Sequence, residues 1–433
     1  MRIQRQQYLE KLISKMDNGR VKIVTGIRRC GKSYLLFEIF VDYLKSIGVK
    51  SDQIITISLD DDANLRLRNP IELGRHIRSL ITDKSARYYV LIDEIQFVHD
   101  IQNPYIDDVT ARVTFTDVVL GLMKIPNADI YVTGSNSKML SSDVLTQFRD
   151  RGDEIRIFPL SFAEYCQTGN GDKIAAWRDY RTYGGMPVIP GLSSHEEKSR
   201  YLKDLFTWTY LRDILERHRI SKDGDILASL VDIIASAIGS LTNPLKLSNT
   251  FKSEKHAEIS PQTIDRYLQI LQDAFLISKA RRYDVKGKRY ISTPAKYYFT
   301  DIGLRNARLS FRQNEETHIM ENILYCDLAR RGFDVDVGVV EHNGRNSTGK
   351  SIRTQLEVDF VINRGYQRVY IQSALSVADP DKRRQEIASL VRIPDSFRKM
   401  VLTGGSVNPW MDENGIFYMG IRDFLLNENA LDM

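Results

Sequence analysis

Residues 21–33 read Val21-Lys-Ile-Val-Thr25-Gly26-Ile27-Arg28-Arg29-Cys30-Gly31-Lys32-Ser33, and an apolar run from Tyr34 to Leu44 follows. The first five residues predict a short buried strand. The run after Ser33 predicts a buried helix. Between them, Gly26 to Ser33 fits the spacing GxxxxGK[ST], in the strand–loop–helix setting that pattern requires. Two glycines let the backbone wrap an anion with its N–H groups turned inward, and the helix N-terminus adds a positive field. Lys32 is suited to reach β- and γ-phosphates, and the Ser33 hydroxyl to hold magnesium. The amides of Ile27, Arg28, Arg29, Cys30 and Tyr34 complete a predicted ATP cradle. Cys30 sits close enough to Lys32 and the helix start for its thiol to be acidified, although incidental placement explains it as well.

Outward from the loop, Tyr88-Tyr-Val-Leu-Ile-Asp93-Glu94 is an apolar strand ending in two carboxylates. Asp93 is predicted to hold Mg2+ together with Ser33, and Glu94 to polarise the attacking water. A third strand, Ile130-Tyr-Val-Thr133-Gly-Ser135-Asn136, ends in polar groups. Thr133, Ser135 or Asn136 can orient that water, and a plain strand-to-turn transition is the alternative. Arg149 and Arg151 precede the strand Glu154–Phe158, where an arginine is able to reach a neighbouring subunit's γ-phosphate. The pattern recurs at Gly344-Arg-Asn-Ser-Thr-Gly349-Lys350-Ser351, but an alternating strand pattern follows it rather than a helix. We read that second match as a hairpin connection.

The chain has 433 residues, 42% apolar and 27% charged. At about 150 residues per domain, this predicts two to four domains. The composition excludes collagenous, low-complexity and wholly disordered classes. No apolar run approaches the roughly 18 residues of a membrane-spanning helix. Charges fill the first sixteen residues, where an export signal needs an apolar stretch. The three cysteines, Cys30, Cys166 and Cys326, are too dispersed for a disulfide framework or a zinc site. Together these features predict a reduced, cytoplasmic protein without a membrane partner. The net charge of +5 is mild and says little about nucleic acid.

Ser161-Phe-Ala-Glu164 is a capping box that opens a helical stretch, interrupted at Gly184-Gly185-Met186-Pro187. We read this stretch as a helical lid on the ATPase. Helices at Ile226–Ile238, from Asn243-Pro244, and from Ser260-Pro261 precede the strand-like pieces Leu276–Tyr283, Arg289–Ser292 and Lys296–Thr300. Three helices and a hairpin predict a winged helix. Its hairpin, 279–296, is basic through Lys279, Arg281, Arg282, Lys286, Lys288, Arg289 and Lys296. With Gln262, Thr263 and Arg266 facing outward on the third helix, DNA is the expected partner, and protein docking the alternative. The last stretch holds a helix, His318–Arg330, carrying Glu321, followed by strands. In Gln355–Asn363, the residues Leu356, Val358, Phe360 and Ile362 are assigned to one face, and Glu357 and Asp359 to the other. This layout is similar to restriction-endonuclease-like folds, in which an Asp and an E-x-K hold magnesium and activate water. Asp359 fits the Asp. The second motif falls on Gln372-Ser373-Ala374, which lacks both the acid and the lysine, so cleavage is not expected. Lys382 and Arg383 are candidate replacements for the missing cation.

Taken together, GIRRCGKS at 26–33, YVLIDEIQ at 89–96, YVTGSNS at 131–137, Arg151-Gly152, PLSFAEY at 159–165, YGGMP at 183–187, EVDFVI and YIQSALS resemble the prokaryotic AAA-type ATPases. The resemblance covers nearly the whole chain. It implies an α/β P-loop NTPase (AAA-type) parallel sheet with a helical lid, magnesium-dependent ATP hydrolysis and a homo-oligomer. It also implies a sensor role for the 133–136 strand end, for which Asn136 is taken, and favours Arg151 as the arginine finger. The expected organisation is an ATP-binding domain at 1–160, a helical lid at 161–222, a winged helix at 223–312 and a restriction-endonuclease-like domain at 313–433. Three readings of function stand: an ATPase that controls a DNA-binding winged helix, an ATP-dependent nuclease using Asp359, and a nucleotide-gated protein switch.

Overall fold

The computed structural model describes residues 3–134, 148, 151–169, 171–217, 220, 224–313, 315–345 and 351–432. They form two compact units: Met1–Phe158 with Asp273–Phe275, and Pro159–Gln272 with Leu276–Met433.

The first unit is built on five parallel strands: β1 (Val21–Thr25), β2 (Ile54–Ser58), β3 (Tyr88–Asp93), β6 (Ala128–Thr133) and β7 (Gly152–Arg156). A small hairpin, β4 (Ile101–Gln102) and β5 (Arg112–Val113), lies apart from this sheet. The strand order is β2-β3-β6-β1-β7, so β1 and β3 are both interior. Every residue of these two strands is buried, which explains why they read as continuous apolar runs rather than alternating ones. Leu73 and Ile77 of the helix Pro70–Leu80, and Val118, Val119 and Leu122 of the helix Phe115–Leu122, pack on Ile23, Val90, Ile92 and Val132.

The second unit holds an eight-stranded mixed sheet. Its strands are β8 (Ile277–Asp284), β9 (Arg289–Phe299), β10 (Asp334–Arg345), β11 (Ser351–Arg364), β12 (Gln367–Ala374), β13 (Arg398–Thr403), β14 (Trp410–Met411) and β15 (Ile416–Gly420), ordered β14-β15-β13-β12-β11-β10-β8-β9. The helix Glu316–Arg330 covers one face through Ile323, Leu324 and Leu328; Ile387, Leu390 and Ile393 cover the other. Two expected boundaries differ here. Residues 161–222, read as a lid on the ATPase, cluster with the second unit, which begins at Pro159. The hairpin read as a wing is not free-standing either, because β8 pairs in parallel with β10 through Val337–Val339, which joins the 223–312 and 313–433 segments in one sheet. Long-range pairing of this kind leaves no local signature.

The YGGMP stretch acquires a packing reason in this unit. A Cβ on Gly184 would lie 2.2 Å from Asp301 Oδ1, and one on Gly185 would lie 2.1 Å from the Leu160 carbonyl oxygen. The backbone of this loop therefore docks directly on Asp301, which caps the helix Ile302–Arg308. Among the described residues no helix is long and apolar enough to cross a membrane.

Candidate functional site

The phosphate-loop pattern occupies the turn from the C-terminal end of β1 into the helix starting at Lys32, where parallel sheets bind their ligands. Gly26 has φ 140°, and a Cβ there would meet the Ile157 carbonyl oxygen at 2.2 Å, so the position admits only glycine. Gly31 caps the helix at φ 98°. Cys30 turns inward: it is fully buried and its thiol donates to the Ile157 carbonyl at 3.6 Å, which identifies a packing role. The Lys32 side chain folds back over the loop, with Nζ donating to the Gly26 and Ile27 carbonyls at 3.0 and 3.1 Å. Arg29 and Tyr34 are exposed, whereas Arg28 is half-buried.

Parallel pairing brings the ends of β1, β3 and β6 together. Val24 stands beside Thr133, and Ile92 beside Val132. The Thr133 hydroxyl donates to Asp93 Oδ1 and accepts from the Glu94 N–H at 3.2 Å. Ser33 also bonds the Asp93 carboxylate. Burial pushes the Asp93 carboxyl above its ordinary range, and these two hydroxyls oppose the shift. Glu94 follows at φ 54°, and its carboxylate accepts from the Gln96 amide. Lys32, Ser33, Thr133 and Glu94 thus all stand near enough to act on Asp93. Asn136, Ser135 and Arg149 lie outside the described residues. Arg151 is exposed and directly precedes β7, its carbonyl accepting from the Val21 N–H at 2.9 Å. It therefore sits at the start of β1's neighbour, five residues of strand, or roughly 16 Å, from the loop end.

Residues 18–166 match the family model of an AAA domain. An uncharacterized protein of Haemophilus influenzae is 32% identical to this chain over 429 residues, 98% of each. The chain belongs to the same family as that protein, and its N-terminal half carries an AAA-type P-loop ATPase domain. An uncharacterized protein of Methanocaldococcus jannaschii is 26% identical, covering 86% of this chain and 78% of its own length. Among solved structures, the Walker-type ATPase of Pyrococcus abyssi aligns with a TM-score of 0.49 at 15% identity, over 71% of this chain and 96% of that one. After that domain, and reaching into the second half of the chain, residues 174–315 match a domain of unknown function (DUF8612).

That half contains a second cluster, on the sheet. Between Asp336 and Gly338 of β10 the pairing advances three residues on β11, from Val361 to Val358. This bulge reverses the facing of the strand. Leu356 and Val358 join one core, while Phe360 and Ile362 join the other, which corrects the single-face assignment of these four residues. Asp359 lies within the bulge and is buried; burial and the nearby Glu321 hold its carboxyl well above the usual range. Its Oδ2 accepts from the Ser373 N–H at 2.8 Å. Lys296, counted by sequence among the outward charges of the basic hairpin, is buried and bonded to Glu321 and Glu357. The composition of β9 carries the missed signal: Ala295-Lys296-Tyr-Tyr-Phe299 sets this lysine in an otherwise apolar run. The second loop-like pattern joins β10 to β11, with Arg345 opposite Ser351 in antiparallel register and no helix after it.

Proposed function

We propose that this protein binds ATP with magnesium and hydrolyses it, and that its nucleotide cycle controls a DNA-binding winged helix within residues 223–312. The observation that supports hydrolysis is the Ser33–Asp93–Thr133 cluster beside the phosphate loop, with Glu94 next in sequence. Ser33 and Asp93 are hard oxygen donors, suited to magnesium, which supplies charge neutralisation for β- and γ-phosphates. Lys32 binds those phosphates, and Glu94 orients and polarises the water. Three helices, Gly224–Ser236, Pro244–Glu254 and Pro261–Asp273, followed by the β8–β9 hairpin and a bridge between Thr242 and Ala295, support the winged-helix reading. Gln262 and Arg266 are exposed on the third helix, and Arg281, Lys286, Lys288 and Arg289 on the hairpin. Three of these charges are partly engaged, Arg281 near Asp336, Lys286 at the Glu341 carbonyl and Arg289 near Asp284, which favours protein docking as the second reading.

The test is ATP hydrolysis with and without duplex DNA at low and moderate salt. Glu94→Gln is expected to retain ATP binding while turnover drops about 10²–10⁴-fold. Lys32→Ala is expected to lose most binding. Unchanged turnover in Glu94→Gln refutes the assignment of the site. Salt-sensitive DNA binding that disappears when Arg281, Lys286, Lys288 and Arg289 become Ala supports the winged-helix reading; no DNA binding at low salt moves the partner to protein.

A further inference from the structure

The stretch YVLIDEIQ at 89–96 ends in an amide, Gln96, two residues beyond Glu94. The backbone brings the two side chains together. Glu94 leaves β3 in the left-handed conformation, with φ 54° and ψ 47°, and a single 3-10 turn over Ile95–Phe97 follows at once. A residue with a Cβ keeps this conformation only where its surroundings fix it. Here the Phe97 N–H donates to the Glu94 carbonyl and the Val98 N–H to the Ile95 carbonyl, both at 3.0 Å. Ile95 and Val98 are buried in the core of the first unit, and the Arg68 guanidinium lies 4.9 Å from the centre of the Phe97 ring. The turn is thus pinned on both sides of Gln96, whose amide nitrogen donates to Glu94 Oε2. An ionised carboxylate only accepts, so the amide presents its NH2 edge here.

Glu94 needs such a holder. Its carboxylate hangs on three rotatable bonds and is only half-buried, so an unheld side chain would spread over several rotamers. A group that polarises a water acts only from within hydrogen-bond reach of it. One amide donor fixes the carboxylate without exhausting it, because an ionised carboxylate has about four acceptor sites. The holder is also neutral. A lysine or arginine would offset the negative charge that polarises the water, whereas an amide orients that charge and leaves it in place. The main chain of Glu94 is held separately, its N–H donating to the Thr133 hydroxyl at 3.2 Å.

We propose that Gln96 is a positioning residue for ATP hydrolysis: its amide holds the Glu94 carboxylate in the orientation that accepts from the attacking water, and it takes no part in holding the nucleotide. This deepens the ATPase reading and rests on it.

The experiment is steady-state ATP hydrolysis by the full-length chain, with binding of a fluorescent ATP analogue measured alongside. Gln96→Met keeps the length of the side chain and removes the donor. It is expected to lower kcat about ten- to a hundredfold, while KM and nucleotide binding stay within about twofold of wild type. Gln96→Glu keeps the shape, sets a like charge against Glu94, and is expected to lose at least as much. In single-turnover runs with protein in excess over ATP, adding Gln96→Met to Glu94→Gln is expected to change the residual rate by less than about twofold, because the base is already gone. Wild-type kcat in Gln96→Met overturns the proposal, and so does an undiminished further loss in the Glu94→Gln background. If Gln96→Met no longer binds nucleotide, Gln96→Glu decides: lost kcat with binding kept upholds the proposal, and wild-type kcat overturns it. Loss of binding in both variants makes Gln96 structural and overturns it too. Wild-type turnover in Glu94→Gln alone is a separate failure, which refutes the ATPase site itself before any Gln96 variant is measured.

Discussion

The Thr133 hydroxyl serves two neighbours at once, donating to the Asp93 carboxylate and accepting from the Glu94 N–H. Valine would keep the shape and lose both bonds. Asp93 would then be harder to ionise, because burial already raises its carboxyl and one of the two opposing hydroxyls would be gone. Thr133→Val is therefore expected to fold, bind ATP, and turn over at least about tenfold more slowly, with a larger magnesium requirement in a steady-state titration. Turnover and magnesium dependence equal to wild type would remove Thr133 from the site. The strand end at 133–136 was legible as polar in the sequence. Which of its side chains reaches Asp93 depends on the parallel register of β3 and β6, a feature that no local pattern encodes.

At the scale of elements, Asp301 couples the YGGMP loop to the helix Ile302–Arg308. Its carboxylate accepts from the Gly185 N–H at 2.7 Å and from the Leu304 N–H at 3.0 Å. Burial nevertheless dominates and pushes its pKa up to about 6. A carboxyl raised above its unfolded value stabilises the fold fully below about pH 4, and that contribution is lost as pH rises through about 6. Over this window the loss amounts to about 3 kcal/mol at most, at 1.36 kcal/mol per pKa unit. Asn in its place keeps one acceptor and cannot ionise. Chemical unfolding of wild type and Asp301→Asn at steps from pH 4 to 7 is expected to show a stability difference that shrinks with rising pH. A constant difference would mean that Asp301 titrates normally. The glycines of the loop were visible in the sequence, but their partner 116 residues away was not. The bulge around Asp359 has the same character: alternation predicts one face, and one extra residue in the pairing divides it between two cores.

At the scale of the molecule, Arg151 lies at the far end of the sheet from the phosphate loop of its own chain. The geometry allows it a catalytic role only on a neighbouring copy. If the protein works as a homo-oligomer in which Arg151 is the finger, Arg151→Ala alone and Glu94→Gln alone should each lose turnover. An equimolar mixture should recover part of it, because a mixed interface joins an intact Glu94 with an intact Arg151. A mixture as inactive as its parents would exclude action across subunits.

The AAA-type half was readable from the chain because its chemistry is local. A phosphate loop needs its glycines, lysine and serine within eight residues, and a buried parallel strand announces itself as an unbroken apolar run ending in Asp93-Glu94. The second half depends on pairings between distant segments. Sequence alone identified its helices and its hairpin, and it placed the junction of two domains near residue 312. Only the tertiary structure joined β8 to β10 across that junction and turned Lys296 from a surface charge into the buried partner of Glu321 and Glu357. The physical reason is that an ammonium in an apolar strand is tolerated only where carboxylates from other elements neutralise it, and folding alone brings those carboxylates to the lysine.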